Sequence, residues 1–194
     1  LRFPRVVLSL PGWVEEYVEE RGEAHPAVRD RMRFVIGLSR ENVRRGTGGP
    51  FGAAVFECDT GRLLAPGVNL VVDASCSVAH AEMLAIMVAQ RRVGDFDLGG
   101  PGRPAYELVA STEPCAMCLG ATPWAGVRHL VCGARAGDAE EAGFDEGAKP
   151  PDWPRSLGER GISVTRDVLR EEAVAVLREY VARGGPVYNS RRDA

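Results

Sequence analysis

Ala79-His80-Ala81-Glu82 and Glu113-Pro114-Cys115-Ala116-Met117-Cys118 are the two stretches on which the reading of this chain turns. Each opens a predicted helix directly after a loop or strand: a largely apolar one over 79–92, and one over 114–124 interrupted by Pro123. Cys115 and Cys118 are three apart, so on a helix they share one face. Pro114 suits the first helical position, where a missing N–H leaves nothing unpaired. The positive end of a helix favours the thiolates that a metal needs. A neutral His80 imidazole and two thiolates leave Zn²⁺ with no net charge and an open fourth position, as in catalytic rather than structural zinc sites. In mid-helix, positions 80 and 82 would point roughly 200° apart. At the first turn both reach past the helix end, so Glu82 stands beside the metal as an unligated carboxylate able to carry a proton. A purely structural zinc site gains nothing from such a carboxylate, which weighs against an inactive zinc-stabilised binding protein.

Outward from these motifs the chain alternates in type. Val28, Met32, Val35, Ile36 and Val43 recur at near-helical spacing from Pro26 to Arg45, and Gly46 stops the run. Residues 53–56 and 62–65 flank Asp59-Thr60-Gly61 as a β-hairpin, with 68–72 extending or following its second strand. Residues 106–110 read as a buried strand, 129–132 as a short strand and 162–165 as the last one. Residues 138–154 look like an excursion without regular periodicity, and 167–183 form an amphipathic helix. The expected fold is one α/β domain whose mixed sheet is covered on both faces. It spans 26–183, with an N-terminal extension over 1–25 and a C-terminal tail over 184–194.

Composition sets outer bounds. The 194 residues carry 24 Lys or Arg and 27 Asp or Glu, so the formal charge is −3 and gives no support for a polyanionic partner. Of the basic residues 23 are Arg and one is Lys149, a bias read as compositional because the arginines are spread along the whole chain. No apolar run approaches the roughly 18–20 residues of a membrane helix. Five cysteines, an odd number, and an opening Leu1–Leu8 too short for a signal sequence point to a reducing cytoplasm. Cys58, Cys76, Cys132 and His129 are expected in the core or at the surface, His25 at the surface, and Asp138 and Glu141 solvated or capping.

The paired motifs resemble the zinc deaminases of the cytidine deaminase superfamily, which share a three-layer α/β/α domain with a central mixed five-stranded sheet. Gly48-Gly49-Pro50-Phe51-Gly52-Ala53, the 140–147 segment and Tyr188-Asn189 narrow the resemblance to the bacterial guanine deaminases of that fold. The resemblance implies zinc on His80, Cys115 and Cys118, with Glu82 as proton shuttle and Glu146 assisting at the substrate amine. It implies Asn69 reading the base edge and Phe51, Trp124 and Phe144 lining the pocket. Tyr188 would cap the pocket from the partner subunit of a domain-swapped homodimer. Asn suits an edge because its amide offers a donor and an acceptor, and a flat, neutral base wants stacking faces. Pro123 departs from the family pattern and should kink its helix. The implied reaction is guanine to xanthine and ammonia. A tRNA adenosine deaminase shares both zinc motifs but wants a basic groove for phosphates. An aminotriazine or cytosine is the other alternative substrate.

Overall fold

A computed structural model describes residues 2–189; Leu1 and residues 190–194, parts of the predicted extension and tail, lie outside the described residues. The elements in chain order are α1 (Trp13–Arg21), α2 (Val28–Arg45), β1 (Gly52–Glu57), β2 (Leu63–Val68), α3 (Ala81–Val93), β3 (Tyr106–Thr112), α4 (Ala116–Ala125), β4 (His129–Ala134), α5 (Ala136–Glu141), α6 (Trp153–Gly158), β5 (Ser163–Thr165) and α7 (Arg170–Ala182). The strands form one sheet in the order β2-β1-β3-β4-β5. β1 pairs antiparallel with β2 and with β3, while β3–β4 and β4–β5 are parallel. The sheet is therefore mixed and five-stranded, as expected.

The period of two along each strand sorts side chains onto opposite faces. Ala53, Val55, Leu108, Ala110 and Leu130 pack with Ala85, Ile86 and Ala89 of α3 and Leu119 of α4. Ala54, Phe56, Val109 and Val131 pack with Met32, Val35 and Ile36 of α2 and Val176 and Leu177 of α7. Every residue of β3 is buried, as a central strand covered on both faces requires. Two half-cores on one sheet make the three-layer α/β/α arrangement. Among the described residues no helix is long and apolar enough to cross a membrane.

Three expectations are corrected. Residues 13–21 are not a flank: α1 buries Trp13, Val14 and Tyr17 in the α2 half-core, and the Tyr17 hydroxyl donates to the Phe34 carbonyl at 2.9 Å. His25 is buried, with its ring 4.7 Å from that of Phe34 and 5.8 Å from that of Phe56. Residues 138–154 are not irregular throughout, because they contain the end of α5 and the start of α6. Each of these helices has six residues, too few for an apolar period to show. Of the two readings left open for 68–72, the structure takes the second: β2 ends at Val68 and the chain follows it in turns.

Candidate active site

Both motifs sit at helix starts, but as caps. His80 is the N-cap of α3, extended at φ −74° and ψ 155°, and Cys115 is the N-cap of α4 at φ −63° and ψ 172°. Their side chains project beyond the first turn, and Cys118 returns to the same place from the third helical position. N-cap and third position face each other, the geometry of a capping box. The cysteines are thus brought together by a cap rather than by a helix face, and Pro114 lies just outside the cap instead of at the first helical position. Its ring fixes the extended entry of the chain.

The ligand atoms of His80, Cys115 and Cys118 all lie within 4.8 Å of one another. Nδ1 of His80 is 3.5 Å from Sγ of Cys115 and 3.6 Å from Sγ of Cys118. Zinc bonds of about 2.3 Å to sulfur and about 2.0–2.1 Å to nitrogen, at a tetrahedral angle, place S and N about 3.6 Å apart. The three side chains fit that ion. In the protein alone, the hydrogen bond from Cys118, aided by His80, lowers the Cys115 thiol to about 4. The same Cys115–Cys118 bond, with burial, holds Cys118 as a thiol. Burial acts to lower His80, yet its bond to Cys115 and the charges of Glu82 and Glu146 raise it. Metal binding here therefore releases protons.

Glu82, at the second position of α3, is buried, and its carboxyl is raised by that burial and by the charge of Cys115. Glu146 approaches from the loop between α5 and α6 and is only 5% exposed, not a solvated loop residue. Burial raises its carboxyl to about 7, while the ammonium of Lys149 opposes the rise. A carboxyl raised to about 7 beside a second one raised by burial suits acid–base work.

A cavity of about 210 Å³ joins these groups, lined by His80, Glu82, Cys115 and Glu146 and by the rings of Phe51, Phe144 and Tyr188. The Phe51 and Phe144 centroids are 4.9 Å apart, those of Phe144 and Tyr188 5.4 Å. That space suits one small flat ring, being below the roughly 300–1,000 Å³ of drug-sized pockets. Asn69 stands just behind the wall, 1% exposed, between the lining residues Phe51 and Val71. A Cβ on Gly49 would lie 2.4 Å from the Tyr188 hydroxyl and 3.0 Å from Asn69 Oδ1, so these two polar groups converge over a glycine. Asn42 fixes that corner: its Nδ2 donates to the carbonyls of Gly49 (2.9 Å) and Asn69 (2.8 Å).

A family model, the cytidine and deoxycytidylate deaminase zinc-binding region, matches residues 28–134. The chain belongs to that family of zinc-binding deaminases. It is 35% identical over 140 residues, 72% of this chain and 85% of the relative, to the guanine deaminase of Bacillus subtilis. A solved guanine deaminase from Nitrosomonas europaea is 47% identical, with a TM-score of 0.87 over 94% of this chain and 98% of that one. A further structure, bound to 2,6-diaminopurine, is 48% identical with a TM-score of 0.87 over 96% of this chain and 98% of that one.

One site expectation of this deaminase is corrected. Trp124 does not line the cavity; it is 80% exposed on α4. The helix starts at the metal ligands and runs away from them, so six residues beyond Cys118 it has risen about 9 Å. Pro123 does not break α4, which continues to Ala125, because the proline falls in its last turn. Tyr188 lines the cavity of its own chain, beside Phe144. The tail reverses after α7 at Gly184 and Gly185, where a Cβ on Gly185 would meet the Tyr180 ring at 2.4 Å. Asn189 then ties it down: Nδ2 donates to the Gly143 carbonyl and Oδ1 accepts the Asp145 N–H, each at 3.0 Å. Sequence reasoning assigned no role to Lys149, Asn42 or Glu113. Glu113 lines the cavity but accepts from Arg166 (2.5 Å) and the Ala136 N–H (3.1 Å), which occupies both oxygens.

Proposed function

We propose that this deaminase converts guanine and water into xanthine and ammonia. The observation that carries the reading is the His80–Cys115–Cys118 group beside buried Glu82, inside a small pocket walled by Phe51, Phe144 and Tyr188. Zinc held there supplies Lewis-acid activation of water. The rings of Phe51 and Phe144 hold the flat base, and the Asn69 amide and Tyr188 hydroxyl read its polar edge. Glu82 takes the proton that water loses and delivers it to the ring nitrogen beside the reacting carbon. The second proton, released from the newly added hydroxyl, goes to the departing amine, a transfer that Glu82 shares with Glu146. The relatives named guanine deaminases and the bound 2,6-diaminopurine support a purine with an exocyclic amine.

A tRNA substrate fits less well. The formal charge is −3 where a phosphate backbone wants a basic surface, and Tyr188 and Asn189 of the tail stand at the pocket. The compartment proposed is the cytoplasm. A homodimer remains part of the proposal, with exposed Trp124 as the large apolar side chain a second subunit would cover, and exchanged tails would make the same contacts between subunits. The zinc-loaded protein is tested against guanine, guanosine, cytosine, adenine and aminotriazines by ammonia release. Guanine is expected to be turned over fastest; no release from guanine with zinc fully loaded overturns the reading.

A further inference from the structure

Lys149 is the only lysine in a chain with 23 arginines, and it is almost wholly enclosed at the active site. Its Nζ donates to Oε2 of Glu146 at 3.1 Å and to the carbonyl of Pro114 at 2.9 Å. Pro114 directly precedes the metal ligand Cys115, so one ammonium joins the 143–149 loop to the entry of α4. A second tie runs the other way, from the Ala116 N–H to the Glu146 carbonyl at 2.8 Å. Gly147, at φ +70°, reverses the chain between Glu146 and Lys149, and Asp145 Oδ1 accepts the Gly147 N–H at 2.8 Å to hold that turn. The loop has no regular structure of its own, so these ties set where the Glu146 carboxyl points.

We infer that Lys149 is a positioning residue, which pins one oxygen of Glu146 to the metal-ligand helix and leaves the other aimed at the substrate amine. The inference rests on the role of Glu146 proposed above. An ammonium is a compact point donor and can occupy a single carboxylate oxygen. A guanidinium presents a planar fork that engages both oxygens and would leave none for proton transfer. Every other basic residue of the chain is an arginine, and at this position a fork would obstruct the chemistry. The charge acts in the same sense, since the ammonium opposes the rise that burial imposes on Glu146.

The experiment compares Lys149→Met, Lys149→Arg and Glu146→Gln in the zinc-loaded enzyme. Zinc content, far-UV circular dichroism and Tm are measured beside guanine turnover. Lys149→Met should keep its zinc and its fold, with kcat down about a hundredfold, the loss that a displacement of about 1 Å can cause. KM should move less than threefold, and Lys149→Gln replaces the Met variant if the latter does not fold. Lys149→Arg should stay at least tenfold below wild type. In the Glu146→Gln background Lys149→Met should add no further loss, because the two act as one unit. Selective ε-¹⁵N labelling gives a single lysine signal in this chain, and that signal should shift in Glu146→Gln. Wild-type kcat in Lys149→Met beside an impaired Glu146→Gln overturns this inference alone, as does full activity in Lys149→Arg, a lysine signal that does not shift, or loss of zinc with kcat. A Glu146→Gln enzyme that works at the wild-type rate overturns the role of Glu146 beneath it.

Discussion

Glu82 and His80 share a site only because one lies inside α3 and the other just outside it. His80 takes an extended backbone as the cap, so its ring escapes the rotation of about 100° per residue that separates helical neighbours. Glu82, one position into the first turn beyond Ala81, then faces the same cavity as a buried carboxyl raised by its surroundings. Glu82→Gln preserves shape and removes the proton-carrying oxygen. Its kcat is expected to fall by a factor of about 10²–10⁴ or more, with metal analysis showing unchanged zinc. Zinc loss in that variant would make Glu82 a ligand and reverse the assignment. At this scale the sequence was readable wherever residue type and spacing carry the chemistry, as in His80, Glu82, Cys115 and Cys118. It was unreadable where a role depends on a distant contact. Lys149 stood out by number alone, and its meaning lies in the Pro114 carbonyl 35 residues away. The buried Glu107, which binds Arg31 of α2 and His129 of β4, gave no local signal at all.

At the scale of elements, strong periodicity was enough for α2, α3 and α7, and alternation with turn residues for β1 and β2. The short α6 carries a cap that a closer reading could use: Asp152 accepts from the Arg155 N–H, and Pro154 sits in the first turn. In α5, Asp138 accepts the Arg135 N–H at 2.7 Å and is locked by Arg170 on α7 through two bonds of 2.7 and 2.9 Å, a contact invisible to local pattern. This makes Asp138 a capping residue, as expected from its place in the chain. The tail after α7 belongs to the same class, for its conformation depends on what it docks against. Two hydrogen bonds of the Asn189 side chain, one donated and one accepted, hold it at the cavity. At about 0.5–1.5 kcal/mol each, their loss in Asn189→Ala should raise KM for guanine by on the order of tenfold. Steady-state kinetics on that variant check this, and an unchanged KM would mean that the tail does not cap the bound base.

For the whole molecule, the metal group stands where α3 and α4 begin on one side of the sheet, while both half-cores are closed by apolar side chains. Of the three ligands only Cys118 is fully buried. Chelation should therefore abolish ammonia release and leave the far-UV circular dichroism in place. Removing an ion present at a thousand times its Kd costs about 4 kcal/mol by mass action, less than the roughly 5–15 kcal/mol of a typical domain. Global unfolding on chelation would instead make the site structural. By itself the sequence determined which residues form the candidate metal group, the carboxyl beside it, the α/β class and a formal charge of −3. These follow from residue identity and spacings of one to four positions, which the helix cap and the strand period translate directly into geometry. Only the tertiary structure decided that Trp124 points to solvent, that Tyr188 lines the cavity beside Phe144, that α1 joins the core, and that Lys149 meets Glu146. Each of those outcomes depends on packing between segments far apart in the chain, and no local preference encodes which distant surface a side chain will meet.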